Sequence, residues 1–177
     1  MTSEATRTAG DIRIGGQRIL LTPHNCFACG ELNTHGLHLM LHAGGDRCWT
    51  ELTLPDRFEG WEGIAHGGIL CTILDEVMAW ALIDHDVWGV TARMSVEFRR
   101  PVPVGMAIRA EGRVVEVRRR LVTAEGLVID PATGTLLARS EGTYVAAPEA
   151  RKAELKARYA FRIEDDLAGA PDSVDRH

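Results

Sequence analysis

Residues 66 to 82 read His-Gly-Gly-Ile-Leu-Cys-Thr-Ile-Leu-Asp-Glu-Val-Met-Ala-Trp-Ala-Leu, with apolar side chains at Ile69, Leu70, Ile73, Leu74, Val77, Met78, Ala81 and Leu82. That i, i+3, i+4 recurrence is the broad stripe of a core-facing helix, opened here by two glycines. Inside the stripe sit two adjacent carboxylates, Asp75 and Glu76. A purely structural helix has little reason to place charge so close to its buried face, so one of the pair is read as a chemical group.

What surrounds this helix is β-rich. Gly36–His42 and Cys48–Leu54 read as a hairpin about the Ala43-Gly44-Gly45-Asp46 turn, and the loop 55–65, with Phe58 and Trp61, leads into the helix. After the polar break Asp84-His85-Asp86, Val90–Phe98 alternates cleanly between Thr91, Arg93, Ser95, Glu97 and Ala92, Met94, Val96, Phe98. This is the period of a half-buried antiparallel strand, ended by Pro101 and Pro103. Met106–Val117, Leu121–Ile129 and Thr135–Val145 follow as strands, the last two joined by the turn Asp130-Pro131-Ala132-Thr133-Gly134, and Pro148–Arg162 reads as a solvated helix. One long helix between a hairpin and four further strands predicts an α+β fold, a curved antiparallel sheet wrapped around a central helix. The expected organisation is an N-terminal arm at 1–23, one domain at 24–146, and a C-terminal helix and tail at 147–177. Residues 1–10 are expected to be loose, a β-like run at Ile19–Leu21 follows the Gly15-Gly16 turn, and the last residues are expected to fray.

With 177 residues the chain fits a single domain, and its 45% hydrophobic and 25% charged composition is that of an ordinary globular protein. A formal net charge of -5 argues against a general nucleic-acid binder. There is no apolar run of membrane-spanning length and no signal-peptide core, so a cytoplasmic location and no membrane partner are expected. The four cysteines are then expected to be reduced. His24, Cys26, Cys29 and either His35 or His38 can be written as a zinc set. A single C-x-x-C lacks the second pair that makes such a signal strong, and strand alternation turns His38 away. The preferred reading is a tight loop with small buried thiols, and no metal or cofactor is expected.

Three separated motifs, in order, resemble one family. They are Cys26-Phe27-Ala28-Cys29-Gly30 followed by Asn33 and Gly36-Leu37; His66-Gly67-Gly68 with Asp75 nine positions after the histidine; and Thr91-Ala92-Arg93-Met94-Ser95-Val96-Glu97-Phe98-Arg99-Arg100-Pro101. Across residues 24 to 146 the chain resembles the hotdog-fold acyl-CoA thioesterases, in the branch similar to the phenylacetate-pathway and related mitochondrial enzymes. The resemblance implies a hotdog fold and hydrolysis of an acyl-CoA to free acid and CoA. It puts Asp75 at the catalytic carboxylate, as base for water or as nucleophile, and Gly67 and Gly68 where a backbone amide polarises the thioester carbonyl. Thr91 falls where a hydroxyl positions water or carboxylate, and His66 at the motif histidine, which more often orients the loop or substrate than moves a proton.

Elementary chemistry agrees with these roles. Hydrolysis needs a nucleophile or activated water and donors aimed at the developing oxyanion, and a glycine-opened helix N-terminus offers unpaired amides with close access. Gly67 and Asp75 would lie about 12 Å apart along one straight helix, too far for one thioester to touch both. The simplest solution is an obligate homodimer, with amide and carboxylate from different chains, two sites by symmetry, and room for a dimer of dimers. Arg99, Arg100 and Arg118 to Arg120 are candidates for the phosphates of CoA. Phe58, Trp61, Met78 and Trp80 are candidates for an acyl pocket, although such residues are more often core. His66 reads equally as a structural cap, Thr91 as an ordinary strand residue, and the arginine run as a solvated hairpin. Two other functions fit the same fold: a non-catalytic acyl-CoA or aromatic-ligand binding protein, and a hydroxyacyl-thioester dehydratase that would depend on His66.

Overall fold

In the computed structural model, which describes residues 11–14, 17–159 and 162–165, the apolar stripe forms helix α1 (Gly67–Ala81). His66 caps it, its ring Nδ1 accepting the Gly68 N–H at 2.9 Å, so one of the orphan amides of the first turn is satisfied by a side chain. Leu70, Ile73, Leu74, Val77, Met78 and Ala81 are buried, each of the larger ones contributing about 1.5–3 kcal/mol of hydrophobic stabilisation. The helix tightens into a single 3-10 turn at Leu82–His85 and stops at Asp86, which takes the left-handed conformation at φ 53°.

The strands are β1 (Asp11–Ile14), β2 (Gln17–Leu20), β3 (Leu41–Ala43), β4 (Arg47–Thr53), β5 (Glu59–Trp61), β6 (Ile64–Ala65), β7 (Gly89–Phe98), β8 (Ala107–Arg118), β9 (Leu121–Ile129), β10 (Leu136–Ala146) and β11 (Arg162–Asp165). Among the described residues all but β5 and β6, which form a small hairpin, join one nine-stranded sheet in the order β11-β2-β1-β3-β4-β8-β9-β10-β7. Its neighbours pair antiparallel except β1 with β3, which run parallel. Helix α1 packs across β4, β8, β9 and β10, giving the α+β hotdog arrangement.

Glycines let the helix come so close. Gly112 and Gly126 stand opposite each other on β8 and β9. A Cβ on Gly112 would sit 2.3 Å from the Val77 carbonyl oxygen, and one on Gly126 would meet Leu74 Cδ2 at 3.0 Å. Any side chain at 112 would lift the helix backbone off the sheet, so these glycines set the depth at which Asp75 and Glu76 are held.

Two expectations are corrected. The alternation at Gly36–His42 predicts a strand, but only Leu41–Ala43 pairs. Residues 37 and 39 instead donate their N–H groups to Phe27 O and Ala28 O, tying this stretch to the C-x-x-C loop, and His38 adopts a left-handed φ of 51°. The C-terminal helix, α2 (Glu149–Tyr159), is shorter than predicted, because Arg162–Asp165 pairs with β2. The run expected at Ile19–Leu21 belongs to β2, which pairs with β1 and through it joins the main sheet. The loose N-terminus, the Gly15-Gly16 turn and the frayed end lie outside the described residues. Among the described residues no helix is long and apolar enough to cross a membrane.

Candidate active site

Asp75 leaves α1 toward the far end of the sheet. There Thr91 of β7 donates its hydroxyl to Asp75 Oδ1 at 2.8 Å, and Tyr144 of β10 donates its phenol to the same oxygen at 3.1 Å. Tyr144 lies 3.2 Å from the Asp75 carbonyl as well, so it pins both the side chain and the helix backbone. Two hydroxyls on Oδ1 fix the plane of the carboxylate, and among the described residues no hydrogen bond engages Oδ2. Burial, and then the adjoining Asp75 charge, push the Tyr144 phenol above its usual range, so it remains a donor. Register explains the convergence: Thr91 and Tyr144 are direct partners across β7 and β10, at the bulge between Thr143 and Tyr144. Tyr144 was invisible to sequence reasoning because in an alternating strand it looks like any inward-facing residue, and it is 1% exposed.

The other end of the helix holds the second cluster. His66 projects from the N-cap, and its Nδ1 occupies the Gly68 amide. Among the described residues no acceptor engages the Gly67 amide, which belongs to the unpaired first turn. A Cβ at Gly67 would lie 3.3 Å from the Phe98 ring, itself 54% exposed at the end of β7. The first turn therefore presents glycine backbone beneath an exposed aromatic ring. In one chain this cluster and the Asp75 cluster remain separate, about 12 Å apart along the helix axis.

The remaining candidates are dispersed. Phe58 is 8% exposed and packed in the core beneath the Arg57 guanidinium, whereas Trp61 is 87% exposed on the small hairpin. Arg99 pairs with Glu97, and Arg118 with Glu116 at 2.7 Å. Arg100 is exposed just after β7, its backbone N–H bonded to Leu137 O. Arg118, Arg119, Arg120 and Leu121 line a shallow surface hollow at the β8–β9 turn.

Glu76, one residue on, faces elsewhere. Trp80 donates its indole N–H to Oε1 at 2.9 Å, and Oε2 lies 3.9 Å from Cys26 Sγ. Burial, followed by the neighbouring Cys26, pushes the Glu76 carboxyl up to about 7. The Cys26 thiol is held below its usual range chiefly by the Cys29 thiol, which donates to it, while Cys29 is pushed up by the same bond and by burial. Among the described residues no hydrogen bond links this cluster to the Thr91 and Tyr144 hydroxyls, although the Glu76 charge adds to the upward push on the Tyr144 phenol. It is the one donor group among the described residues with the make-up of a metal site.

Residues 62–136, from the small hairpin through α1 to the start of β10, match the Thioesterase superfamily family model. No curated protein sequence matches the chain. Among solved structures, a thioesterase superfamily protein superposes with a TM-score of 0.64 at 25% identity, over 68% of this chain and 60% of that one. The chain thus spans less than two thirds of that protein's length. A Streptococcus mutans protein bound to acetyl CoA superposes with a TM-score of 0.55 at 20% identity, over 58% of this chain and 82% of its own. The Escherichia coli PaaI protein from the phenylacetic acid degradation operon does so with a TM-score of 0.55 at 16% identity, over 58% and 74%. At such identities these two likenesses speak to the fold, which they share with this chain.

Proposed function

We propose that the chain is an acyl-CoA thioesterase, with Asp75 as general base for water or as nucleophile. The observation that carries this reading is the Asp75 carboxylate, fixed through one oxygen by Thr91 and Tyr144 with the other left open, on a helix that begins in glycine amides. The family match over 62–136 and the acetyl-CoA-bound neighbour support the substrate class. As base, Asp75 takes a proton from water as the hydroxide adds to the thioester carbonyl, and the CoA thiolate leaves. As nucleophile it forms a mixed anhydride that water then opens. The Gly67 amide polarises the carbonyl, and the Gly68 amide joins it once the His66 ring yields its bond.

The span between Gly67 and Asp75 supports a homodimer as the working unit, with the amide and the carboxylate of one site drawn from different chains. β7 ends the sheet order, and Val90 and Phe98 stand exposed along it, so a second copy has an open edge on which to close. Arg99, Arg100 and Arg118 are assigned to the CoA phosphates and the exposed Trp61 to the acyl side, while Phe58 stays in the core. His66 is bound at Nδ1 as a cap, an arrangement that favours orientation over the acid–base work a dehydratase would ask of it.

A hydrolysis screen over short, long and aromatic acyl-CoAs, read by thiol release, tests the proposal. Saturable turnover on at least one class is expected. Saturable binding without thiol release on any of them replaces the enzyme reading with that of a non-catalytic binding protein.

A further inference from the structure

The C-x-x-C loop and Glu76 lie about fifty positions apart in sequence and meet in space. The Sγ atoms of Cys26 and Cys29 and a carboxylate oxygen of Glu76 all lie within 4.8 Å of one another. Four-coordinate zinc, with Zn–S about 2.3 Å and Zn–O about 2.0–2.2 Å, separates its donors by roughly 3.5–3.8 Å along the tetrahedral edges. The 3.9 Å from Cys26 Sγ to Glu76 Oε2 is already close to such an edge.

Each donor is held by something else. Cys26 and Cys29 are brought together by the tight turn at residues 27–29. The turn is closed by Gly30, whose N–H bonds to Cys26 O at 2.9 Å, and where a Cβ would stand 2.4 Å from Cys26 N. Only glycine fits there. The Trp80 indole occupies Glu76 Oε1 and so directs Oε2 at the thiols, the outer-shell support that orients a ligating carboxylate. His24 takes no place in the triangle, because its Nδ1 accepts the Cys26 N–H at 3.3 Å and its ring meets Tyr159 edge-on.

We infer that Cys26, Cys29 and Glu76 form a binding site for a zinc-class divalent cation, with three protein donors and a fourth position open to water or a small ligand. Two sulfurs and one oxygen select for zinc over the hard cations, which want oxygen alone. Cys29 is 3% exposed while Cys26 also lines a surface cleft with Thr22, Asn25 and Tyr159, which gives the ion a way in. The site holds none of the residues assigned to the reaction at Asp75, although the neighbouring Asp75 charge acts on Glu76. A lone C-x-x-C argued against metal in the sequence, and what changes the argument is the third donor, supplied by the helix.

The test is metal content and spectroscopy on the full chain, purified with reductant. Elemental analysis after zinc loading and dialysis is expected to give one ion per chain. Titration with cobalt(II) is expected to give tetrahedral ligand-field bands with thiolate-to-cobalt charge transfer. Cys26→Ser should abolish the charge-transfer intensity of one thiolate and weaken binding by more than about 100-fold, beyond the range of outer-shell substitutions. Glu76→Gln should keep the charge transfer but weaken binding at least about tenfold. Cys29→Ser perturbs the core, so the first two variants, checked for folding by circular dichroism, decide. A folded wild type with no tetrahedral cobalt spectrum overturns the proposal, as does an unchanged affinity in Glu76→Gln. So does a Cys26–Cys29 disulfide found by mass spectrometry in place of retained metal when the protein is purified without reductant.

Discussion

Asp75 and Glu76 are consecutive residues with the same charged group, and they live in different chemistries. One helical step, about 100°, turns Asp75 toward β7 and β10 and Glu76 toward the loop at 26–29. Asp75 receives two hydroxyl donors on one oxygen and keeps the other open. Glu76 receives an indole N–H on one oxygen and points the other at sulfur, and burial pushes its carboxyl up to about 7. A helix buried along one stripe can thus carry two polar sites back to back, provided each carboxylate finds its own partners. The pair teaches that composition and spacing locate a carboxylate, whereas its role follows from the side chains that surround it.

The strongest way to break this contrast is Asp75→Asn. Amide and carboxylate are nearly the same shape, so Thr91 and Tyr144 keep a partner, but the base or nucleophile is gone. We expect kcat to fall by about 10²–10⁴-fold with acyl-CoA binding retained, measured by thiol release and by calorimetric titration. Turnover within a few-fold of wild type would remove Asp75 from the chemistry. Next come Tyr144→Phe and Thr91→Ala, which delete one donor each. Loss of a positioning bond to a charged group is expected to lower kcat by about 10–100-fold and to leave KM nearly unchanged. A change in KM alone would mean that the hydroxyls shape the pocket instead of aiming the carboxylate.

Much of this was legible in sequence, for local reasons. The stripe from Ile69 to Leu82 and the alternation from Val90 to Phe98 are periodic patterns that packing reinforces, and α1 and β7 form where they predict. The stretch 36–40 failed because alternation says nothing about which backbone a segment will bond to, and it bonds to residues 27 and 28 of the preceding loop. The parallel pairing of β1 with β3 is equally non-local. At the site, His66, Gly67, Gly68, Asp75 and Thr91 stood out through motif order. Tyr144 and the meeting of Glu76 with Cys26 did not, since those contacts span 69 and 50 positions and no local pattern says which distant residue a carboxylate will meet.

The smallest effect sharpens the contrast from the Glu76 side. Trp80→Phe keeps an aromatic ring against the core and removes only the indole N–H that Glu76 Oε1 accepts. The orphaned oxygen sits in a largely enclosed cluster where water replaces the lost donor poorly. Unfolding stability should therefore drop by about 1 kcal/mol, seen as a lower urea midpoint with an unchanged slope. Because Trp80 touches neither Thr91 nor Tyr144, kcat should fall less than in Tyr144→Phe, which loses a bond to Asp75 itself. If Trp80→Phe lowers kcat as far as Tyr144→Phe does, the two carboxylates belong to one coupled network across the helix, and the division between an Asp75 site and a Glu76 site fails. If stability does not move, the indole bond is not what holds Glu76 toward the thiols, and the orientation of Oε2 has to come from the sulfur side.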